Sequence, residues 1–215
     1  MVYHVQYLED LMIKTILWDF DGVILDSMKI KGDGFLELFK DFHKDKLNQL
    51  YKYHFENGGI SRFDKIRYFY KDILHTDITE NEVLILAKEF GEIVRNNLYD
   101  RNNLIEDSVN FIKANYIKYN FHIVSGAEHE ELQNLCDHFN LSNYFITIEG
   151  SPTQKSVLVS GIIKKYKYKN AETMLIGDAM TDYNAAKNNN IKFYGYNNIK
   201  LKKFDYIESL NKFYI

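Results

Sequence analysis

The sequence predicts an α/β protein, a doubly wound parallel sheet with an all-helical insertion, and three observations carry that prediction. Short apolar runs, each stopped by Gly, Ser or Asp, recur along the chain; amphipathic helical patterns separate the later runs; and one long stretch after the first run has helical periodicity alone. A length of 215 residues with 46% hydrophobic content supports one full-sized core with material left for a modest second domain.

The first run, KTILWDF from Lys14 to Phe20, ends in an acidic, glycine-containing turn and reads as a buried strand of a parallel sheet. Four more follow: FHIVSG at Phe121 to Gly126, YFITIEG at Tyr144 to Gly150, TMLIGD at Thr173 to Asp178, and IKFYGY at Ile191 to Tyr196. Stripes such as Leu132, Leu135, Cys136 and Phe139, then Leu158, Ile162 and Tyr166, lie between the later strands at helical spacing. Such alternation implies right-handed crossovers, with ligands at the carboxyl ends of the strands.

From Met28 to Leu98 no core strand is convincing. Phe35, Leu38, Phe39 and Phe42 form one stripe, Phe63, Ile66, Tyr70 and Ile73 a second, and Val83, Leu86, Phe90 and Val94 a third. The expected domains are therefore a core of residues 1–27 and 99–215 and a helical domain of residues 28–98. Between the helices, NGGISR at Asn57 to Arg62 reads as a tight, exposed turn. The opening residues MVYHVQYLEDLM carry no motif and are expected to form a short helix or a flexible leader.

Charge narrows the partners. A net charge of −3 gives no general attraction to nucleic acid or an anionic membrane, and no apolar run approaches the roughly 20 residues of a membrane-spanning helix. The single cysteine, Cys136, excludes an internal disulfide, so a cytoplasmic, soluble protein is expected.

Candidate chemistry collects at strand ends. Asp19 and Asp21 leave the first strand as D-F-D-G; side chains at i and i+2 point the same way while the chain is extended, and a divalent cation such as magnesium would relieve their repulsion. The plainer reading of an isolated D-x-D is a solvated turn. The fourth strand ends in IGDAMTD, which offers Asp178 and, one helical turn later, Asp182. The second ends in VSGA, where the Ser125 hydroxyl and the N–H groups of Gly126 and Ala127 suit a phosphoryl oxygen. Lys155, in GSPTQKS after the third strand, is either a surface charge or a cation able to neutralise phosphate and carboxylate.

DFDGV, Ser125, Lys155 and GDAMTD, in that order and at strand ends, resemble the four motifs of the haloacid dehalogenase superfamily, as does a helical insertion just after the first motif. The resemblance covers nearly the whole chain from about residue 14. It implies a magnesium-dependent phosphatase of a small phosphomonoester, a sugar phosphate or phosphoglycolate-like acid, working through an aspartyl-phosphate. Asp19 would be the nucleophile and Asp21 the acid and base; Ser125, Gly126 and Lys155 would grip the phosphoryl group. Magnesium would rest on Asp19, the Asp21 backbone carbonyl and Asp178, with Asp182 behind them or against Lys155.

The helical domain would be a cap that reads the leaving group. GGISRFDKI resembles the cap loop of β-phosphoglucomutases and related sugar-phosphate phosphatases, which makes Arg62 an anion receiver and Lys65 a second candidate; the plainer reading of Arg62 is a surface arginine. The mutases carry a histidine where this chain has Lys31, which favours hydrolysis over a phosphomutase and leaves open whether Lys31 assists binding. The same residues could instead serve a phosphoacceptor signalling module or a catalytically silent binding protein. The insertion and the second acid of D-x-D argue against the former, and four intact motifs against the latter. The histidines show no shared metal-ligand spacing and read as surface or structural residues. Trp18 and Cys136 read as core. No partner macromolecule is implied, and a monomer or weak homodimer is expected.

Overall fold

The computed structural model describes residues 12–213. Met12 apart, the expectation for the opening segment lies outside them. Strand β1 (Thr15–Trp18) is flanked by β2 (Asn120–Glu128) and β4 (Thr173–Gly177); β3 (Thr147–Ser151) extends one side, β5 (Lys192–Tyr196) and β6 (Tyr206–Ile207) the other. The order β3-β2-β1-β4-β5-β6 is parallel at every pairing, and Trp18 aligns with Ile123 on one side and Ile176 on the other. The chain winds outward from β1 to β3, then returns to β4. The point where the winding reverses therefore lies between β1 and β4, where a doubly wound sheet opens a crevice at its carboxyl edge.

Both sheet faces are covered. Ile16 and Trp18 point into a core shared with Phe111 and Ile112 of α5 (Glu106–Asn115) and Leu132, Leu135 and Cys136 of α6 (His129–His138); Leu17, between them, faces Val159 and Ile162 of α7 (Lys155–Tyr166) and Ala185 and Ala186 of α8 (Met180–Asn188). Alternation along one buried strand is why β1 reads as a continuous apolar run. Trp18 is fully buried against Phe111 and Phe121, and Cys136 is buried with its thiol pushed up to about 12 by burial, so both are core residues.

Residues 28–98 hold α1 (Met28–Leu38), α2 (Lys44–Glu56), α3 (Arg62–Tyr68), a π-helical turn at Phe69–Leu74 and α4 (Glu80–Leu98), with no strand. Phe35 packs against Phe90 as a tilted pair with ring centroids 4.3 Å apart, and Phe39 stacks on Phe69 at 4.2 Å. Starts are set by caps: the Ser61 hydroxyl accepts from Asp64 N–H, and Thr79 and Glu82 form a reciprocal capping box.

Four local expectations are corrected. The π-helical turn adds a residue per turn, so Phe69 is fully buried where the helical stripe put Tyr70. A 3-10 turn at Ser142–Tyr144 delays β3 to Thr147. A sixth strand, β6, pairs its two residues with Gly195 and Tyr196. The Asn57–Arg62 turn is not exposed: Gly58 is buried, and Gly58 and Gly59 lie against the core. Among the described residues, no helix is long and apolar enough to cross a membrane.

Candidate active site

The carboxyl edge around β1 and β4 gathers the strand-end residues. Asp19 follows β1 and is 1% exposed; its Oδ1 accepts from Phe20 N–H at 2.7 Å and lies 2.8 Å from Lys155 Nζ, while Oδ2 is buried with no hydrogen-bond partner. Lys155 opens α7 and also donates to Asp182 Oδ1, so one ammonium bridges two acids from different elements. The other Asp182 oxygen accepts from Ala179 N–H at 3.0 Å, closing the first turn of α8. Both of its oxygens are thereby engaged. Asp178 lies beside them: Asp19, Asp178 and Asp182 each bring a carboxylate oxygen within 4.8 Å of the others.

Three acids facing one lysine leave negative charge uncompensated. Burial, then Asp182, pushes the Asp19 carboxyl up to about 7 against the pull of Lys155; burial and Asp19 raise Asp178 well above the usual carboxylate range. Burial pulls Lys155 down, but Asp182 and Asp19 outweigh it and hold its ammonium well above the ordinary lysine range. A hard divalent cation fits this donor set, because it offsets the excess charge and finds the unpartnered Oδ2 of Asp19.

Gly22, at φ 78°, carries the D-x-D turn past Asp178 so closely that any side chain would collide with the Asp178 carboxylate. Asn197 and Asn198, after β5, tie that edge together by donating to the Gly22 and Asp178 carbonyls at 3.0 and 2.7 Å. Ser125 lies two residues beyond Ile123 on β2, fully buried, and its hydroxyl accepts from Ala127 N–H at 3.1 Å. Gly126 meets the Gly59 backbone at a distance no side chain would permit.

Asp21 is turned the other way, toward the helices. Lys31 Nζ donates to both of its oxygens at 2.6 Å, and Ser27 donates to Oδ1 at 2.5 Å. Burial pushes the Asp21 carboxyl up, but Lys31, then Ser27 and Lys65, outweigh it and hold it below the usual range. Ser27 and Lys31 sit one helical turn apart at the start of α1, a spacing that could have marked them as partners of Asp21.

The Asn57–Ser61 loop rests on this edge. Thr181 donates to the Gly58 carbonyl at 2.8 Å, and Gly59 approaches Lys155. Arg62 is buried, not a surface arginine. It forms an ion pair with Glu131 of α6 and stands over the Phe90 ring at 4.9 Å, so the helical segment and the sheet domain share a partly buried salt bridge. Neither Glu131 nor His54 carries a sequence signal of its own. His54 Nε2 meets the Met28 carbonyl at 2.8 Å and its Nδ1 meets Lys65 Nζ at 3.0 Å. A cavity of about 30 Å³, lined by Asp21, Lys31, His54, Lys65 and Gly126 among others, separates the loop from the helices. Lys155 is approached from the opposite side of the loop through a cleft of about 360 Å³ lined by Ser151, Thr153 and Thr181.

The family model of the haloacid dehalogenase-like hydrolases matches residues 16–196, which spans β1 to β5 and every strand-end acid just described. The chain belongs to that family. It is accordingly a hydrolase, built on the α/β core that its sequence predicted. Solved structures agree in fold. A β-phosphoglucomutase from Clostridium difficile superposes with TM-score 0.72 at 19% identity, covering 95% of this chain and 94% of that one. A "predicted phosphoglycolate phosphatase" from Haemophilus somnus gives 0.69 at 17% identity, covering 92% and 95%. The HAD-hydrolase YfnB of Bacillus subtilis, solved with bound magnesium, gives 0.67 at 18% identity, covering 94% and 96%. No curated protein matches the chain in sequence.

Proposed function

We propose that this hydrolase is a phosphatase of small phosphomonoesters that works through a phosphorylated Asp19. The observation that carries the reading is Lys155 held between Asp19 and Asp182, with Asp178 completing a cluster whose negative charge exceeds its positive charge. Asp19, Asp178 and the Asp21 backbone carbonyl would hold a magnesium ion, which when bound supplies charge compensation between the nucleophile and an anionic substrate.

The steps then fall to the chain's own groups. An Asp19 oxygen attacks phosphorus, an aspartyl–phosphate bond forms and the bond to the leaving oxygen breaks; Asp21 gives that oxygen its proton. Asp21, now a carboxylate, takes a proton from water, whose oxygen attacks phosphorus and releases phosphate with Asp19 restored. Lys155, the Ser125 hydroxyl and the N–H groups following it stabilise the phosphoryl oxygens. Residues 28–98 act as a cap, a reading supported by the Gly58–Thr181 and Arg62–Glu131 contacts that rest this segment on the site. Because Arg62 is already paired with Glu131, it would bind a substrate anion only after exchanging that partner.

In the resting arrangement Lys31 keeps Asp21 ionised, yet the first step needs it protonated; a phosphate dianion arriving beside it raises its pKa. Lys31→Met should raise it further. The alkaline limb of the kcat profile, which reports the substrate-bound enzyme and where Asp21 loses its proton, should then move to higher pH, and an unmoved limb would detach Lys31 from Asp21's role. The reading as a whole is tested by phosphate release over a panel of phosphorylated metabolites with and without magnesium. Free phosphate is the expected product; an isomer in its place would make the chain a phosphomutase, and no turnover on any monoester would sink both.

A further inference from the structure

Lys65 stands apart from the other cations around the small cavity. Lys31 is neutralised by Asp21 and Arg62 by Glu131, but none of the described carboxylates forms an ion pair with Lys65, although it is only 4% exposed. Its partner is the His54 ring. Met28's carbonyl can only accept, so His54 Nε2 carries the proton and Nδ1 is left as an acceptor for the Lys65 ammonium. His54 is therefore a neutral support: burial, then Lys65, depresses its pKa to about 3.

A buried ammonium without an anion is costly to the fold, and apolar walls supplied by Phe35, Ile60 and Phe90 deepen that cost. Burial, then Lys31, draws the Lys65 pKa down to about 7. Position gives the arrangement a use. The same cavity is lined by Asp21, which on the reading proposed above protonates the leaving oxygen, so whatever carries that oxygen sits between Asp21 and Lys65.

We propose that Lys65, oriented by His54, is the docking point for a carboxylate on the leaving group, so that the preferred substrate is the phosphate ester of a compact hydroxy acid. One unpaired ammonium matches one carboxylate. A cavity of about 30 Å³ beneath a loop seated on Thr181 suits a leaving group of a few atoms better than a hexose. The inference rests on the phosphatase reading, but it fails separately from it.

The experiment compares kcat/KM for phosphoglycolate with that for its amide, which differs only in lacking the charge, and with that for ethylene glycol bisphosphate, in wild type, Lys65→Met and Lys65→Arg. Wild type should favour the carboxylate over the amide by roughly 10- to 100-fold, the worth of one charge-assisted hydrogen bond. The preference should collapse toward unity in Lys65→Met, chiefly through KM, and persist in Lys65→Arg. Equal rates on acid and amide in wild type would overturn the docking role while leaving the phosphatase intact, and so would equal losses on both in Lys65→Met. Preference for the bisphosphate over the carboxylate would overturn the hydroxy-acid assignment. Phosphate release that survives Asp19→Asn would instead overturn the underlying reading.

Discussion

Asp19→Asn should abolish phosphate release, by about three orders of magnitude or more, in a protein that still folds. The amide keeps the shape of the carboxylate and can still accept from Phe20 N–H, but it has no charged oxygen with which to attack phosphorus. Folding should not suffer. Asp19 is a buried carboxyl pushed up to about 7, so it favours the native state fully only below its unfolded pKa of 3.8 and loses that contribution as pH rises through about 7. Above neutrality the metal-free variant should therefore melt at or above the wild-type temperature. Magnesium should raise the melting temperature of wild type more than that of the variant, since on the proposed reading the ion would rest partly on the one carboxylate that the variant lacks. Calorimetry with and without magnesium, beside a phosphate-release assay, checks both parts. Activity within tenfold of wild type would remove Asp19 from the chemistry.

The acids of this site were legible because each stands at the end of a strand or one helical turn beyond it. A parallel sheet delivers all its carboxyl ends to one edge, so Asp19 and Asp178 converge whatever their separation along the chain, and Asp182 follows by one turn of α8. Contacts between helices had no such rule behind them. Nothing local fixes how α3 lies against α6, so the Arg62–Glu131 pair, 69 residues apart, could not be read. The α2 helix went unmarked for a related reason: its inward face presents Leu47, Leu50 and His54, and a histidine breaks the apolar stripe by which a buried helix announces itself. The turn at Gly58 and Gly59 reads as exposed in the sequence because paired glycines suit a solvent-facing turn. Here they serve close approach to the Gly126 backbone and Thr181.

Lys155→Met should cost the fold about 3 to 5 kcal/mol and reduce turnover at least about a hundredfold, the largest combined effect expected of any single substitution here. Two consequences are joined in one side chain. Lys155 is 7% exposed, and its ammonium is the one cation in ion-pair contact with the Asp19–Asp178–Asp182 cluster among the described residues. Its loss leaves Asp19 and Asp182 buried, mutually repelling and without a counter-ion. The catalytic loss has a separate origin, the missing positive charge at the phosphoryl oxygens. A double variant separates the two: Lys155→Met with Asp182→Asn removes one of the stranded charges and should recover part of the stability, because residues sharing an ion pair do not add independently. Activity should stay lost in the double variant, since neither change returns a cation to the phosphate. Chemical denaturation across the four proteins of that cycle measures the coupling. If Lys155→Met unfolds at the wild-type midpoint, the ammonium is not what compensates these acids; if the double variant regains turnover, Lys155 acts only by neutralising Asp182.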